Sequence, residues 1–229
     1  MPVEKIEKNT DKLIRNFLEI EFRVRPKSSI CLVCLHEDEV VAYDVAEELF
    51  ERFPVSMLRL FGQGRRNFFF DEKERRFSFD PNRMFNTFSL TRSQKLPINI
   101  ARTVKRGMAN PIMSALDQFP FLISLHNNGK TNFSLNTFAE NPNAIIIVKE
   151  RQKLGDFILT NDRFFFDRIK EKCPFNSALL EYRCETKGSL AYFKKSHFNV
   201  EVKSRCSLGE TREKQLDMAE MLIKLIQNH

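Results

Sequence analysis

The apolar run Ile30-Cys31-Leu32-Val33-Cys34-Leu35 contains no charged or amide side chain. In a soluble chain a run of this length fits a strand covered on both faces, inside a sheet with helices packed against it. The next residues narrow the choice. After His36-Glu37-Asp38-Glu39, the residues Ala42, Val45, Ala46, Leu49 and Phe53 recur at helical spacing and predict a helix with one apolar face. His36 and Glu39 therefore fall in a strand-to-helix turn.

The same alternation continues along the chain. Val55 to Leu60 reads as a strand, residues 61–83 as loops with short strands, and residues 93–107 as a helix despite Pro97. Phe119 to Leu125 forms a strand that delivers His126 at its end, and Ala144 to Val148 is expected to be a strand buried on both faces. Phe157 to Leu159 and Phe198 to Val202 supply two more strands, and Met218, Met221, Leu222 and Leu225 mark a final helix over the sheet. At the amino terminus, residues 4–20 read as an amphipathic helix ended by Arg25-Pro26-Lys27-Ser28-Ser29, so residues 1–27 are a helix and a connection. Strands alternating with helices make an α/β sandwich, in which reactive groups collect at the carboxyl ends of the strands. One domain over residues 1–229 is expected.

Composition limits the setting. Apolar residues at 42% and charged residues at 29% suit a folded globular core. There is no apolar stretch of about 18 residues and no basic, apolar leader, so a cytoplasmic, non-membrane protein is expected. The cysteines, Cys31, Cys34, Cys173, Cys184 and Cys206, are odd in number and irregularly spaced, which fits reduced thiols. Cys31 and Cys34 lie three apart on a strand, point to opposite faces and read as core residues. A net charge of +7 is compatible with a nucleic-acid partner, an acidic substrate or solubility alone. The basic residues are scattered and no recognised nucleic-acid module surrounds them, so a nucleic-acid partner is not expected.

The chemistry lies in three short segments. His36-x-x-Glu39 sets an imidazole beside a carboxylate on a tight turn, and zinc takes nitrogen and oxygen ligands of these kinds. Alone, the pair also reads as a surface histidine before an acidic helix start. His126, in Leu125-His126-Asn127-Asn128-Gly129, supplies the third ligand that a catalytic zinc needs while leaving a position for water; its plain reading is a histidine bonded to a turn. In Asp80-Pro81-Asn82-Arg83 the proline fixes a turn, and Asn82 and Arg83 can present planar donors to a substrate carboxylate; the plain reading is a β-turn with a solvated arginine. Gly62-Gln63-Gly64-Arg65-Arg66 lacks the Lys-Ser/Thr of a phosphate-binding loop and reads as a substrate loop. His197, beside Lys194-Lys195, reads as a surface residue.

With these segments in this order, the sequence resembles the zinc carboxypeptidase superfamily, which combines a His-x-x-Glu pair, an Asn-Arg dipeptide and a later histidine after a strand. The Asp-x-Asn-Arg segment at 80–83 and the Leu-His-Asn segment at 125–127 are most similar to the succinylglutamate desuccinylase and aspartoacylase branch. The resemblance spans residues 28–226 and implies a three-layer αβα sandwich with a mixed sheet, one bound Zn2+, and His36, Glu39 and His126 as its ligands. It also implies a general base on a late strand, for which Phe198-Asn199-Val200-Glu201-Val202 selects Glu201, with Glu181 and Glu185 as substitutes. The oxyanion arginine of the aspartoacylase-like pattern falls at Arg75, with Arg76 beside it. The carboxypeptidase pattern places it at Arg65 or Arg66. The implied activity is zinc-dependent hydrolysis of an amide bond in a small acyl-amino acid or short peptide, its carboxylate held by Asn82 and Arg83. The alternative is a degenerate member that binds a ligand or protein without cleaving it.

Overall fold

The computed structural model describes residues 4–5, 19–62, 64–72, 75–128, 133–180, 189–190, 196–204 and 207–229. The opening apolar run forms β3 (Ile30–Cys34), buried at every position. It lies between β4 (Ser56–Phe61) and β7 (Phe121–Asn128) and runs parallel to both. β11 (Ser196–Lys203) adds in parallel on the far side of β7. These four strands are the middle of a sheet of order β1-β2-β4-β3-β7-β11-β9-β10-β8, in which β1 is Glu4–Lys5, β2 Glu19–Arg23, β8 Ala144–Ile147, β9 Phe157–Thr160 and β10 Asn176–Leu180. Antiparallel pairing of β2 with β4 and of β9 with β11 makes the sheet mixed. A separate hairpin joins β5 (Phe68–Glu72) to β6 (Arg75–Phe79).

The helices are α1 (Val40–Arg52), α2 (Thr87–Arg92), α3 (Ile98–Val104), α4 (Asn110–Leu116), α5 (Arg163–Lys172) and α6 (Leu208–Gln227). Alternation along β3 assigns them to two layers. Leu32 and Cys34 share one core with Leu49 of α1, Ile169 of α5 and Leu222 of α6. Cys31 and Val33 share the other with Leu90, Ile100 and Ile112 of α2–α4 and with Phe68 and Phe79 of the hairpin. The molecule is thus a three-layer α/β sandwich, and the two cysteines do face opposite ways. Among the described residues no helix is long and apolar enough to cross a membrane.

Several elements differ from expectation. The described ends of segment 4–20 are strands, Glu4–Lys5 pairing with Glu21 and Phe22, while residues 6–18 lie outside the described residues. Ile20 and Phe22 alternate with polar neighbours and are buried, a period of two that a helical reading overlooks. The helix read through Pro97 begins just after it, at Ile98, and continues through a π turn at Lys105–Ala109 to Leu116. Proline is tolerated at a helix start, where its missing N–H has no partner to lose. β8 is an edge strand with Ile145 exposed, despite its run of isoleucines. β10 escaped the sequence reading because it opens with Asn176 and Ser177, whose polar side chains are nonetheless buried.

The parallel centre brings three carboxyl ends together. His36 follows β3, while His126 and Glu201 face the same side as register partners on β7 and β11. A side-chain bracket holds this end: Asn127 Oδ1 accepts from the Ala42 N–H at the start of α1, 2.9 Å away. Gln215 of α6 donates to the His126 carbonyl at 3.0 Å and accepts from Asn127 at 3.4 Å.

Candidate metal centre

Backbone hydrogen bonds close the turn after β3. Glu39 N–H donates to the His36 carbonyl, and the Glu39 carbonyl accepts from Ala42 as α1 begins. Glu39 occupies the capping position of α1, yet its side chain makes no cap bond there. The carboxylate instead points into the protein, between two imidazoles.

His126 Nδ1 lies 3.0 Å from Glu39 Oε2, and His36 Nδ1 lies 3.3 Å from Glu39 Oε1. The three groups are almost wholly buried, with exposures of 1% for His36, 4% for Glu39 and 5% for His126. One ligand atom from each can be chosen so that all lie within 4.8 Å of one another. The far side of the His36 ring is fixed, because Nε2 meets Asp80 Oδ1 at 2.9 Å. A proton on Nε2, donated to Asp80, leaves the lone pair of neutral His36 on Nδ1.

That nitrogen tests the fit to a metal. His36 Nδ1 is buried without a hydrogen-bond partner, its approach to Glu39 being out of line for a bond. A buried polar atom so placed is costly unless something else engages it. Two imidazole nitrogens and a carboxylate oxygen are the donor types that zinc takes, so the residues fit such an ion.

Neighbouring groups set the charge on each member of the cluster. Burial opposes charge on His36, but the hydrogen bond to Asp80 and the nearby negative charge of Glu39 outweigh it and push its pKa up to about 9. Burial likewise opposes charge on His126, and the carboxylates of Glu39 and Glu201 overcome it and raise its pKa. Burial would raise the Glu39 pKa, yet His126 and His36 hold it well below the usual carboxylate range. Asp80 is held low in the same way, its burial outweighed first by the hydrogen bond to His36.

The other sequence-selected residues divide into those at the cluster and those away from it. Glu201 is buried on β11 beside His126. Asn82 and Arg83 sit in a short 3₁₀ turn capped by Asp80, whose Oδ1 accepts from the Asn82 N–H at 2.8 Å. Asn82 Oδ1 accepts from the Leu190 N–H at 3.4 Å. Arg75 is exposed on β6, its backbone opposite Glu72. Arg65 and Arg76 both lie against the Phe69 ring. It is Arg66 that reaches the cluster, with Nη1 2.9 Å from Glu39 Oε1. Glu181 and Glu185 lie outside the described residues.

Two features were missed in the sequence. Asp80 was read only as part of a turn, although a carboxylate at a cap can also accept from a side chain across the fold. His197, expected at the surface, is buried and bonds through Nε2 with Ser124 Oγ at 2.8 Å. Burial, then the nearby His126, lowers its pKa to about 3. The signal lay in β11 itself: His197, Asn199 and Glu201 share a face, and the register sets them beside Leu122, Ser124 and His126.

No family model and no curated protein matches the chain. Two solved structures resemble it in outline. One, described as "YNDL-apo (Zinc-free)", superposes with a TM-score of 0.47 at 13% identity, covering 98% of each chain. The other, described as "Structure of Bacteriophage poly-gamma-glutamate hydrolase", gives 0.41 at 8% identity over 91% of each chain.

Proposed function

We propose that the chain is a zinc-dependent hydrolase that cleaves an amide bond in a small acyl-amino acid or short peptide bearing a carboxylate. The observation that carries this reading is one buried carboxylate set between two buried imidazoles, His36, Glu39 and His126, at the carboxyl ends of parallel strands. A buried ionic cluster of this kind costs desolvation free energy, so stability alone does not account for it, and a functional role does.

His36, Glu39 and His126 would hold the ion, with Asp80 fixing the tautomer and ring orientation of His36. When bound, zinc supplies a Lewis acid that polarises a carbonyl and makes water more acidic. Glu201, in register beside His126, would take a proton from the attacking water onto a carboxylate oxygen and pass it to the departing amine nitrogen. For the positive charge facing the developing oxyanion, Arg66 has more support than Arg75, because it already reaches into the cluster. The Asn82 amide and the Arg83 guanidinium come directly after Asp80 and would clamp the substrate carboxylate, the guanidinium by a two-pronged bond.

The test is Glu201→Gln, assayed against a panel of acyl-amino acids and short peptides that first identifies a substrate of the wild type. The variant should keep its zinc and lose about 10²- to 10⁴-fold in turnover. Undiminished turnover would reject Glu201 as the base.

A further inference from the structure

Arg66 approaches Glu39 from the loop between β4 and β5, and Glu37 also ties that loop to the turn that carries the proposed ligands. The backbone N–H groups of Gly62 and Gly64 both donate to Glu37 Oε2, each at 2.7 Å. Glu37 stands between the proposed ligands His36 and Glu39 in sequence, so one turn carries both the ligands and the anchor. Convergence of two N–H groups on one carboxylate oxygen is a charge-assisted clamp. The loop conformation it requires includes Gly64 at φ +61°, in the left-handed region that favours glycine. Two residues beyond Gly64, the Arg66 guanidinium meets Glu39 Oε1.

We infer that Glu37 is a positioning residue of the site: by clamping Gly62 and Gly64 to the ligand turn it holds the Arg66 guanidinium against Glu39. This rests on the proposed reading of the site as a metal centre, yet the clamp itself can be examined without metal. Glu37 binds neither ion nor substrate in this account and acts through Arg66. Its distinguishing consequence is that breaking the clamp changes the site only while Arg66 is present.

Nuclear magnetic resonance of the metal-free protein reads the clamp directly. In Glu37→Gln the amide protons of Gly62 and Gly64 should move upfield, and the Arg66 Nη1–H signal should shift to the position of a solvated arginine. Gly64→Pro, which removes one donor and forbids the positive φ without changing any charge, should release Arg66 in the same way. Glycine signals that stay in place, or that move while the Arg66 signal does not, would overturn the proposal.

Zinc affinity gives the second arm, using competition with a chromophoric chelator. The through-space effects of two charges on a bound ion add, whereas a positional effect does not. Gly64→Pro should therefore alter the zinc Kd in the Arg66 background and leave it unchanged in an Arg66→Ala background, a difference of about twofold or more. Equal changes in the two backgrounds would contradict positioning through Arg66. A wild type that binds no zinc would reject the metal-centre reading, while the resonance arm would still decide the clamp.

Discussion

Replacing Asp80 with asparagine probes the metal centre without touching a ligand. Asp80 Oδ1 accepts from His36 Nε2 at 2.9 Å and from the Asn82 N–H at 2.8 Å. An asparagine oxygen can keep both bonds but not the charge, so the His36 bond falls from charge-assisted to neutral, roughly half as strong. Loss of such an outer carboxylate weakens metal binding by about 10- to 100-fold, or about 1.4 to 2.8 kcal/mol. Because the bond survives in weaker form, Asp80→Asn belongs near the lower end, about tenfold. Asp80→Ala frees the imidazole ring to turn and belongs near the upper end. Asp80 also caps the 3₁₀ turn that carries Asn82 and Arg83, so the alanine variant should lose about 1 kcal/mol of stability, which asparagine largely spares. Zinc competition titrations at fixed pH, with denaturation curves run alongside, separate the two effects. Zinc affinity equal to wild type in both variants would refute the claim that Asp80 prepares His36 Nδ1 for a metal.

The packing around the site predicts two further outcomes. Burial lowers the His197 pKa from 6.5 to about 3, so the unfolded chain binds its proton first as pH falls. His197 thus leaves stability unaffected above pH 6.5 and reduces it between 6.5 and about 3, by up to about 1.4 kcal/mol per pH unit. Urea midpoints at pH 7 and pH 5 should converge in His197→Gln relative to wild type; an unchanged gap would show that this residue is not the source. Asn127→Ala removes the bracket between α1 and α6 while the Ala42 N–H keeps its bond to the Glu39 carbonyl, so a loss of about 1 kcal/mol in denaturant stability is expected. No loss would show that the bracket contributes nothing to holding the strand ends.

The strands that carry the site were legible because burial on both faces leaves an unbroken apolar run, as at Ile30 to Leu35, and the helix after it keeps a clean apolar stripe. His36 and His126 were legible because each sits where such a run stops, and Glu39 because it follows His36 by three residues in the same turn. What could not be read were contacts made across the fold. The 15 residues from Arg66 to Asp80 contain nothing in their pattern to say that both ends return to the same turn, one to Glu39 and the other to His36. Arg75 and Arg66 each belong to an Arg-Arg pair, and only the fold separates the one on the hairpin from the one that reaches Glu39. β8 misled in the opposite sense. Its isoleucines satisfy the pattern of a central strand, but Ala144 and Ile146 pack on a small satellite core under one face while Ile145 remains exposed at the edge.

The most direct test of the central claim is anomalous scattering from crystals grown with zinc and measured on both sides of the zinc absorption edge. A single peak within about 2.0–2.2 Å of a nitrogen of His36, a nitrogen of His126 and an oxygen of Glu39 is the predicted result. Absence of a peak there, or a peak that persists at that position in both His36→Ala and His126→Ala, would contradict it.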